Sequence, residues 1–419
     1  MRTPGQNISP VNNHFQSGGA PPPILPESKP KSGSGRHLLV ILLNLFLALF
    51  LASGFVSLMD DSLVLLFGLH LLTVMSGILT FIAMLAAVLV YGLMGLAPMI
   101  PKRVFLPVTL FYVASLLVSL FILIYTFDRA PQGDWVLSLC QVLLVVGLVW
   151  WLQGGVKFRW PIVEDKHLGA RSFSWGNLSV FVLVNVLGLL PAIIVSVFFL
   201  AALAVDHYSE GFMVLRPNGF SVQVRKYVRN DGKTIELFPM AHVADARFYQ
   251  KVSQTFPTNS MILMEGVTDD RNLLTNKISY RRMAKSLGLS EQRQEFVPQR
   301  GEMVDADVDV DQFSKDTIDF LNLVMLVHAK GVTPANVQTL MQYSPPPHLQ
   351  DEFINDLVHK RNQRVLEEIR LELPETDNLM VPWGVAHMPG IARAIQKSGF
   401  RLSETQEYMV IQFRKNRDR

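Results

Sequence analysis

The chain has one cysteine, Cys140, and it lies inside an uncharged apolar run. A single thiol excludes a disulfide framework and any cysteine-ligated metal or cluster site, and it leaves the redox compartment open. Also absent are a Gly-x-x-x-x-Gly-Lys-Ser/Thr phosphate loop, a His-Glu-x-x-His helix and a Gly-x-Ser-x-Gly elbow, which removes P-loop nucleotide hydrolysis, zincin chemistry and the α/β-hydrolase serine mechanism. Charge is scarce from His37 to Leu203. Apart from His37 at its start, His70 is the only His, Asp, Glu, Lys or Arg inside the apolar spans expected there, and without paired carboxylates or arginines a transport pathway has little support.

What remains is largely apolar. Hydrophobic residues make up 49% of the 419, with a mean hydropathy of +0.27, too apolar for an ordinary soluble protein. The excess is confined to one half, because from Asp206 onward the composition is that of a soluble domain of roughly 210 residues, enough to bury its own core. Residues 1–205 hold 11 Lys/Arg and 7 Asp/Glu, which leaves 27 and 28 for the rest. The basic balance therefore belongs to the apolar half and marks no nucleic-acid-binding surface.

Residues 1–36, with Pro21-Pro22-Pro23 and Lys31-Ser32-Gly33-Ser34-Gly35, have no apolar periodicity and read as a disordered tail. The tail is too long and Pro-rich for a signal-peptide n-region, so the first apolar run is expected to stay uncleaved. Five spans follow, at 37–58, 69–97, 104–127, 135–154 and 175–204, each able to cross a hydrocarbon core of about 30 Å as a helix. The alternative splits Ser62–Ile100 into two short crossings. Arg2, Lys29, Lys31 and Arg36 in the tail, Lys102 and Arg103 in the second loop, and Lys157, Arg159, Lys166 and Arg171 in the fourth lie on one side. The first loop, Met59-Asp60-Asp61, has no basic residue and the third only Arg129. This pattern places the N-terminus in the cytoplasm of a bacterial-type inner membrane and, after five crossings, residues 206–419 outside.

The second half reads as a mixed α/β (α+β) domain. Strands at Phe212–Arg216, Phe220–Val228 and Thr234–Phe238 are separated by Pro217-Asn218-Gly219 and Asn230-Asp231-Gly232 turns. A helix over 244–256, a strand at 260–264 and helices over 270–287, 313–329 and 349–371 follow, then a strand at 379–383, a helix at 391–397 and a closing strand near 408–413.

Two segments, Pro239-Met240-Ala241-His242-Val243 and Gly384-Val385-Ala386-His387-Met388, share a pattern of apolar strand, small turn, histidine and amphipathic helix. His242, Glu265 and His387 each fall at or just past a strand's C-terminal end, the edge on which open α/β sheets place their sites. Two imidazoles and a carboxylate suit Zn²⁺, Mn²⁺ or Fe²⁺ with positions left for water. A histidine that only caps a neighbouring backbone group gives the same pattern. Asp305, Asp307, Asp309 and Asp311, at every second position, would face one side if extended, but the glycine and terminal glutamate of a calcium loop are missing. His207, His328, His348 and His359 have no comparable context.

The order of Met240-Ala241-His242-Val243, Leu263-Met264-Glu265-Gly266-Val267, Lys360-Arg361-Asn362 and Gly384-Val385-Ala386-His387-Met388-Pro389-Gly390 resembles Tiki/TraB-like (TraB/PrgY/GumN) proteins, which look related to erythromycin esterases and ChaN-like proteins. The resemblance covers roughly Phe212 to Lys415 and none of the spans. It implies metal-dependent hydrolysis, with His242, His387 and Glu265 as ligands of a divalent ion (Mn, Co or Zn), Glu265, Arg361 and Asn362 as catalytic groups, Gly384 in the second motif, and Asp307 and Asp309 at the site's edge. Pro239 stands where the family's first motif has glycine, so the first turn is expected to differ. Arg361 has a plainer alternative, a surface ion pair with Glu367 or Glu368. The function expected is that of a membrane-anchored hydrolase, a peptidase above all, acting on a peptide or small-molecule substrate; the alternative is a non-catalytic peptide- or signal-binding membrane protein. Expected partners are the lipid bilayer and that substrate, with no nucleic acid.

Overall fold

The computed structural model describes residues 34–155, 158–275, 280–330 and 333–413. The expected tail up to residue 33, Lys157 and the side chain of His328 lie outside the described residues.

Helices α1 (Ser34–Phe67), α2 (Thr73–Leu96), α3 (Lys102–Tyr125), α4 (Ala130–Gln153) and α5 (Trp175–Tyr208) are long and apolar enough to cross a membrane. Even the shorter ones, of 24 residues, reach about 36 Å at 1.5 Å per residue. The stretch Ser62–Ile100 holds one such helix, α2, where two short crossings were the alternative. The first loop is corrected: Asp60 and Asp61 are helical, because α1 runs nine residues past the expected end at residue 58. Both carboxylates find partners without breaking the helix. Asp60 Oδ1 accepts from the Leu72 amide at 3.1 Å, at the start of α2, and Asp61 Oδ2 accepts from Ser138 Oγ at 2.5 Å. The helix stops instead at Gly68, whose φ of +68° suits a residue without Cβ. His70 consequently sits exposed in the connection rather than inside a span. In α5 a π-helical turn, Asn185–Leu189, precedes Pro191, which has no amide hydrogen to continue the regular ladder; the Leu190 amide bonds the Asn185 carbonyl.

The chain resolves into two compact units. One takes the residues up to Leu63 with Leu69–Leu110 and Ser138–Asn177; the other takes Val64–Gly68, Phe111–Leu137 and everything from Leu178.

In the second unit, seven of the described strands form one sheet. Its order is β1 (Met213–Arg216), β2 (Gly219–Val228), β3 (Thr234–Met240), β8 (Asn378–Gly384), β5 (Met261–Met264) and β7 (Glu302–Asp305), with β9 (Arg401–Gln412) on the far side of β2. β2 pairs antiparallel with β1, β3 and β9, whereas β3, β8, β5 and β7 run parallel. Two short strands, β4 (Val243–Ala244) and β6 (Ser290–Glu291), pair apart from this sheet.

Alternation along the parallel strands sorts their side chains onto two faces. Leu237, Leu263, Val381 and Trp383 pack with Val365, Ile369, Ile391 and Ile395, which come from the helices Arg361–Glu372 and Met388–Lys397. Phe238, Ile262 and Met380 turn the other way, onto Phe248, Tyr249 and Val252 of the helix Ala246–Thr255. The sheet is thus covered on both faces, and a strand edge is the place left for polar chemistry.

The helix expected over 270–287 is corrected to Arg281–Leu287, with residues 276–279 outside the described set. Side chains take the backbone donors a helix would use: Asp269 accepts from the Leu273 and Leu274 amides, and Asn322 Oδ1 accepts from the Thr275 amide. The expected helix over 349–371 is interrupted by a π-helical turn, Asn355–Lys360, directly before Arg361.

Candidate functional site

The parallel register puts the C-terminal ends of the strands on one edge. Met240 lies opposite Gly384 across β3 and β8, and Met264 opposite Asp305 across β5 and β7. Glu265, Asp307 and His387 each follow within three residues of a strand end, and Arg361 reaches the same edge from the helix covering one face.

Arg361 organises these groups. Its Nε and Nη2 donate to Asp307 at 2.9 and 2.6 Å, Nη2 also donates to Glu265 Oε1 at 2.8 Å, and Nη1 lies 3.2 Å from His387 Nε2. The side chains are largely buried, at 12% exposure for Arg361, 9% for Glu265, 6% for His387 and 2% for Asp307. Burial on this scale costs several kcal/mol per ion unless every charge is paired and its remaining lone pairs are satisfied. Backbone donors complete the pairing: Glu265 Oε2 accepts from the Gly384 amide at 2.6 Å, and Asp307 from the Gly266 and Val308 amides at 3.0 and 2.9 Å.

Asn362 fixes the imidazole. Its Oδ1 lies 2.8 Å from His387 Nδ1, so Nδ1 carries the proton and Nε2 accepts from Arg361. Trp383 meets His387 edge to face, with centroids 5.2 Å apart, and its indole N–H donates to the Leu263 carbonyl at 3.0 Å. Burial first, then the Arg361 and His242 charges against the opposing pull of Glu265 and Asp307, push the His387 pKa down to about 4, so the ring is neutral at pH 7. Burial is the largest single influence on Arg361 and pushes its pKa down, but the hydrogen bonds and charges of Asp307 and Glu265 together outweigh it and hold the guanidinium above its ordinary range.

The two histidine motifs are not equivalent. His387 is buried in a 3₁₀ turn that leads straight into a helix. His242 is exposed between β3 and β4, its ring stacked on Tyr280 at 4.9 Å with planes 7° apart, and its carbonyl accepts from the Gln292 amide. Pro239 lies within β3, opposite Trp383 and beyond the β2–β3 pairing, which ends at Leu237. Burial and the Glu265 charge push the Tyr280 phenol up.

The surface alternative for Arg361 is corrected, since the neighbour that pairs with Glu367 and Glu368 is Arg364. The aspartate run does not stay extended: it leaves β7 at Asp305, bridges Thr268 at Asp309 and turns into a 3₁₀ helix, Val310–Gln312, that holds Asp311. Val308 and Val310 point into a small core while Asp307 holds Arg361, Asp309 accepts from Thr268 and the Asp270 amide, and Asp311 pairs with Arg271. Those carboxylates are committed to protein donors. The sequence places Asp307 at the edge of the site but does not show it as the main anchor of Arg361; Trp383, directly before the second motif, could be suspected from its aromatic character, whereas nothing in the sequence points to Tyr280.

The expected metal ligands do not assemble around a vacant centre. Glu265 Oε1 and His387 Nε2 are 3.7 Å apart, but the Arg361 guanidinium donates to both, so a protein cation takes the place a divalent ion would need. The donor set in this arrangement does not fit a metal. Among the described residues, the acid and histidine group with potential ligand atoms within 4.8 Å of one another is Asp316, His348 and Glu352, partly exposed and away from the strand edge.

No family model, curated protein or solved structure matches the chain.

Proposed function

We propose that the chain is a membrane-anchored hydrolase of ester or amide bonds whose site is the edge formed by His242, Glu265, Arg361 and His387. The observation that carries this reading is Arg361, a guanidinium 12% exposed and bonded to groups from three other segments at the C-terminal edge of parallel strands. An apolar side chain would stabilise such a position as well or better, so a buried charge network of this kind is a functional candidate before it is a structural one. The resemblance to Tiki/TraB-like proteins supports the same reaction class.

In this proposal His242, the exposed imidazole stacked on Tyr280, takes the proton of the attacking water and returns it to the leaving alcohol or amine as the carbonyl C–O or C–N bond breaks. Arg361 faces the charge that develops on the carbonyl oxygen, where a fixed donor is worth most. Glu265 and Asp307 hold the guanidinium in place, Asn362 keeps His387 oriented, and burial keeps it neutral. No step is routed through a metal. The adjacency of Glu265 and His387 does favour a second reading, in which Arg361 swings away and a divalent ion enters; chelation separates the two.

The positive-inside pattern supports five crossings of a bacterial inner membrane, with the α/β domain on the extracytoplasmic side. The test uses the full-length protein in proteoliposomes with a panel of fluorogenic esters and peptides, comparing the wild type with His242→Ala. His242 is exposed, so its loss should leave stability within about 0.5 kcal/mol while turnover falls about 10²-fold or more. Binding without turnover would favour the binding-protein alternative, and turnover unchanged in the variant would end this proposal.

A further inference from the structure

The first compact unit carries a feature that the hydrolase reading does not use. The segment between α4 and α5 folds back onto the start of α1: Asn44 brackets Val163 with two hydrogen bonds, Nδ2 to the carbonyl at 2.8 Å and Oδ1 from the amide at 2.9 Å, and Ile162 and Val163 are fully buried. Arg36 donates to the carbonyls of Asp165, Leu168 and Gly169, while the Gly169 amide donates to Met99. Lys102 then bonds Asn177, which itself donates to the Met94 and Gly95 carbonyls. These contacts gather the start of α1, the α2–α3 connection and the start of α5 at one end of the unit.

The chemistry of that end is one-sided. It presents Arg36, Lys102, Arg103, Arg159, Lys166 and Arg171 against Glu164 and Asp165, and those two carboxylates are already paired with Lys166 and Arg36. Among the described residues Arg103, Arg159 and Arg171 are exposed and form no salt bridge, although Arg159 is close enough to Glu164 to help lower its pKa, behind Lys166. Around them stand Trp150, Trp151, Trp160 and Trp175, each 60% exposed or more, with Phe173 edge-on to Trp175 at 5.1 Å. No Lys or Arg occurs between His37 and Pro101, so the far turn of α1 and α2, with Asp60 and Asp61, has nothing comparable.

Indoles seek the level of the headgroups, and guanidinium groups left unpaired among them meet lipid phosphates. We infer that this collar is a binding surface for anionic phospholipid headgroups, with Arg103, Arg159 and Arg171 as the phosphate-contacting cations. A zwitterionic lipid offers the same phosphate with its charge cancelled by the choline, so the collar selects anionic lipid over it. Each cation contributes separately, and salt weakens the preference.

The test uses the full-length protein reconstituted in phosphatidylcholine with a minor share of phosphatidylglycerol, extracted gently, with the retained lipids counted by native mass spectrometry. The wild type should retain phosphatidylglycerol above its share of the bilayer. Arg103→Gln, Arg159→Gln and Arg171→Gln should each lower that preference about five-fold, the ratio that about 1 kcal/mol per cation gives. Arg401→Gln, an exposed charge on β9, should leave it unchanged. Because each variant is single and at an exposed position, a fold defect can be recognised by gel filtration in one and bypassed with the others. Retained lipid that mirrors the bilayer composition, a preference that survives all three substitutions, or one abolished equally by inorganic phosphate would overturn the inference.

Discussion

Replacing Arg361 with methionine keeps much of the side-chain volume and removes the one cation between two largely buried carboxylates. Asp307 would retain its two backbone donors and Glu265 the Gly384 amide, but neither would keep a counter-charge. Breaking a buried pair in this way costs about 3–5 kcal/mol, most of it the penalty of the charges left behind. Hydrogen exchange on the full-length protein in detergent reads this locally, at the Gly266, Val308 and Gly384 amides that donate to the two carboxylates. A loss of protection below about 0.5 kcal/mol would refute the claim that Arg361 is the cation that balances this edge.

Three further outcomes are expected. A Cβ at Gly390 would come within 2.5 Å of Asn362 Nδ2, so Gly390→Ala should cost about 1–3 kcal/mol, and much of that cost should vanish in an Asn362→Ala background, a coupling that a double-mutant cycle measures. His387 is held neutral, with its pKa pushed down to about 4; a depressed folded pKa gives stability that is present above about pH 6.5 and lost as pH falls towards 4, a drop of about 3 kcal/mol at most that His387→Gln should abolish in acid-unfolding profiles. In a Cys140→Ser background, a cysteine placed at the exposed Glu404 should be labelled by a membrane-impermeant maleimide in intact spheroplasts; labelling only after lysis would reverse the orientation.

Much of this arrangement could be read from the chain before any coordinates. The hairpin turns at Asn218-Gly219 and Asp231-Gly232 and the alternation along much of β2 are local signals, and they appear where expected. The shared edge for Glu265 and His387 was legible only on the condition that their apolar strands are neighbours in a parallel sheet, which β5 and β8 are. The failures have one physical character: side chains satisfying backbone or one another at long range. Asp60 and Asp61 look like a loop until Leu72 and Ser138 are seen to satisfy them, and Asp269 and Asn322 dismantle a helix whose apolar spacing is otherwise sound. The symmetry of the two histidine motifs was overread for the same reason. One imidazole is enclosed by Asn362, Trp383 and Arg361, the other stacks in the open on Tyr280; Trp383 and Pro239 stand beside the histidines, but Asn362, Arg361 and Tyr280 come from distant parts of the chain.

The measurement that bears most directly on the account is turnover by the full-length protein after exhaustive chelation, on whichever ester or peptide of the panel it hydrolyses fastest, beside Arg361→Lys. If Arg361 is the working cation of the site, chelated protein keeps its rate and added Mn²⁺, Co²⁺ or Zn²⁺ does not raise it, while Arg361→Lys, which lacks the planar fork, loses most of it. A rate that disappears on chelation and returns with one of those ions would contradict the account and put a metal between Glu265 and His387 instead.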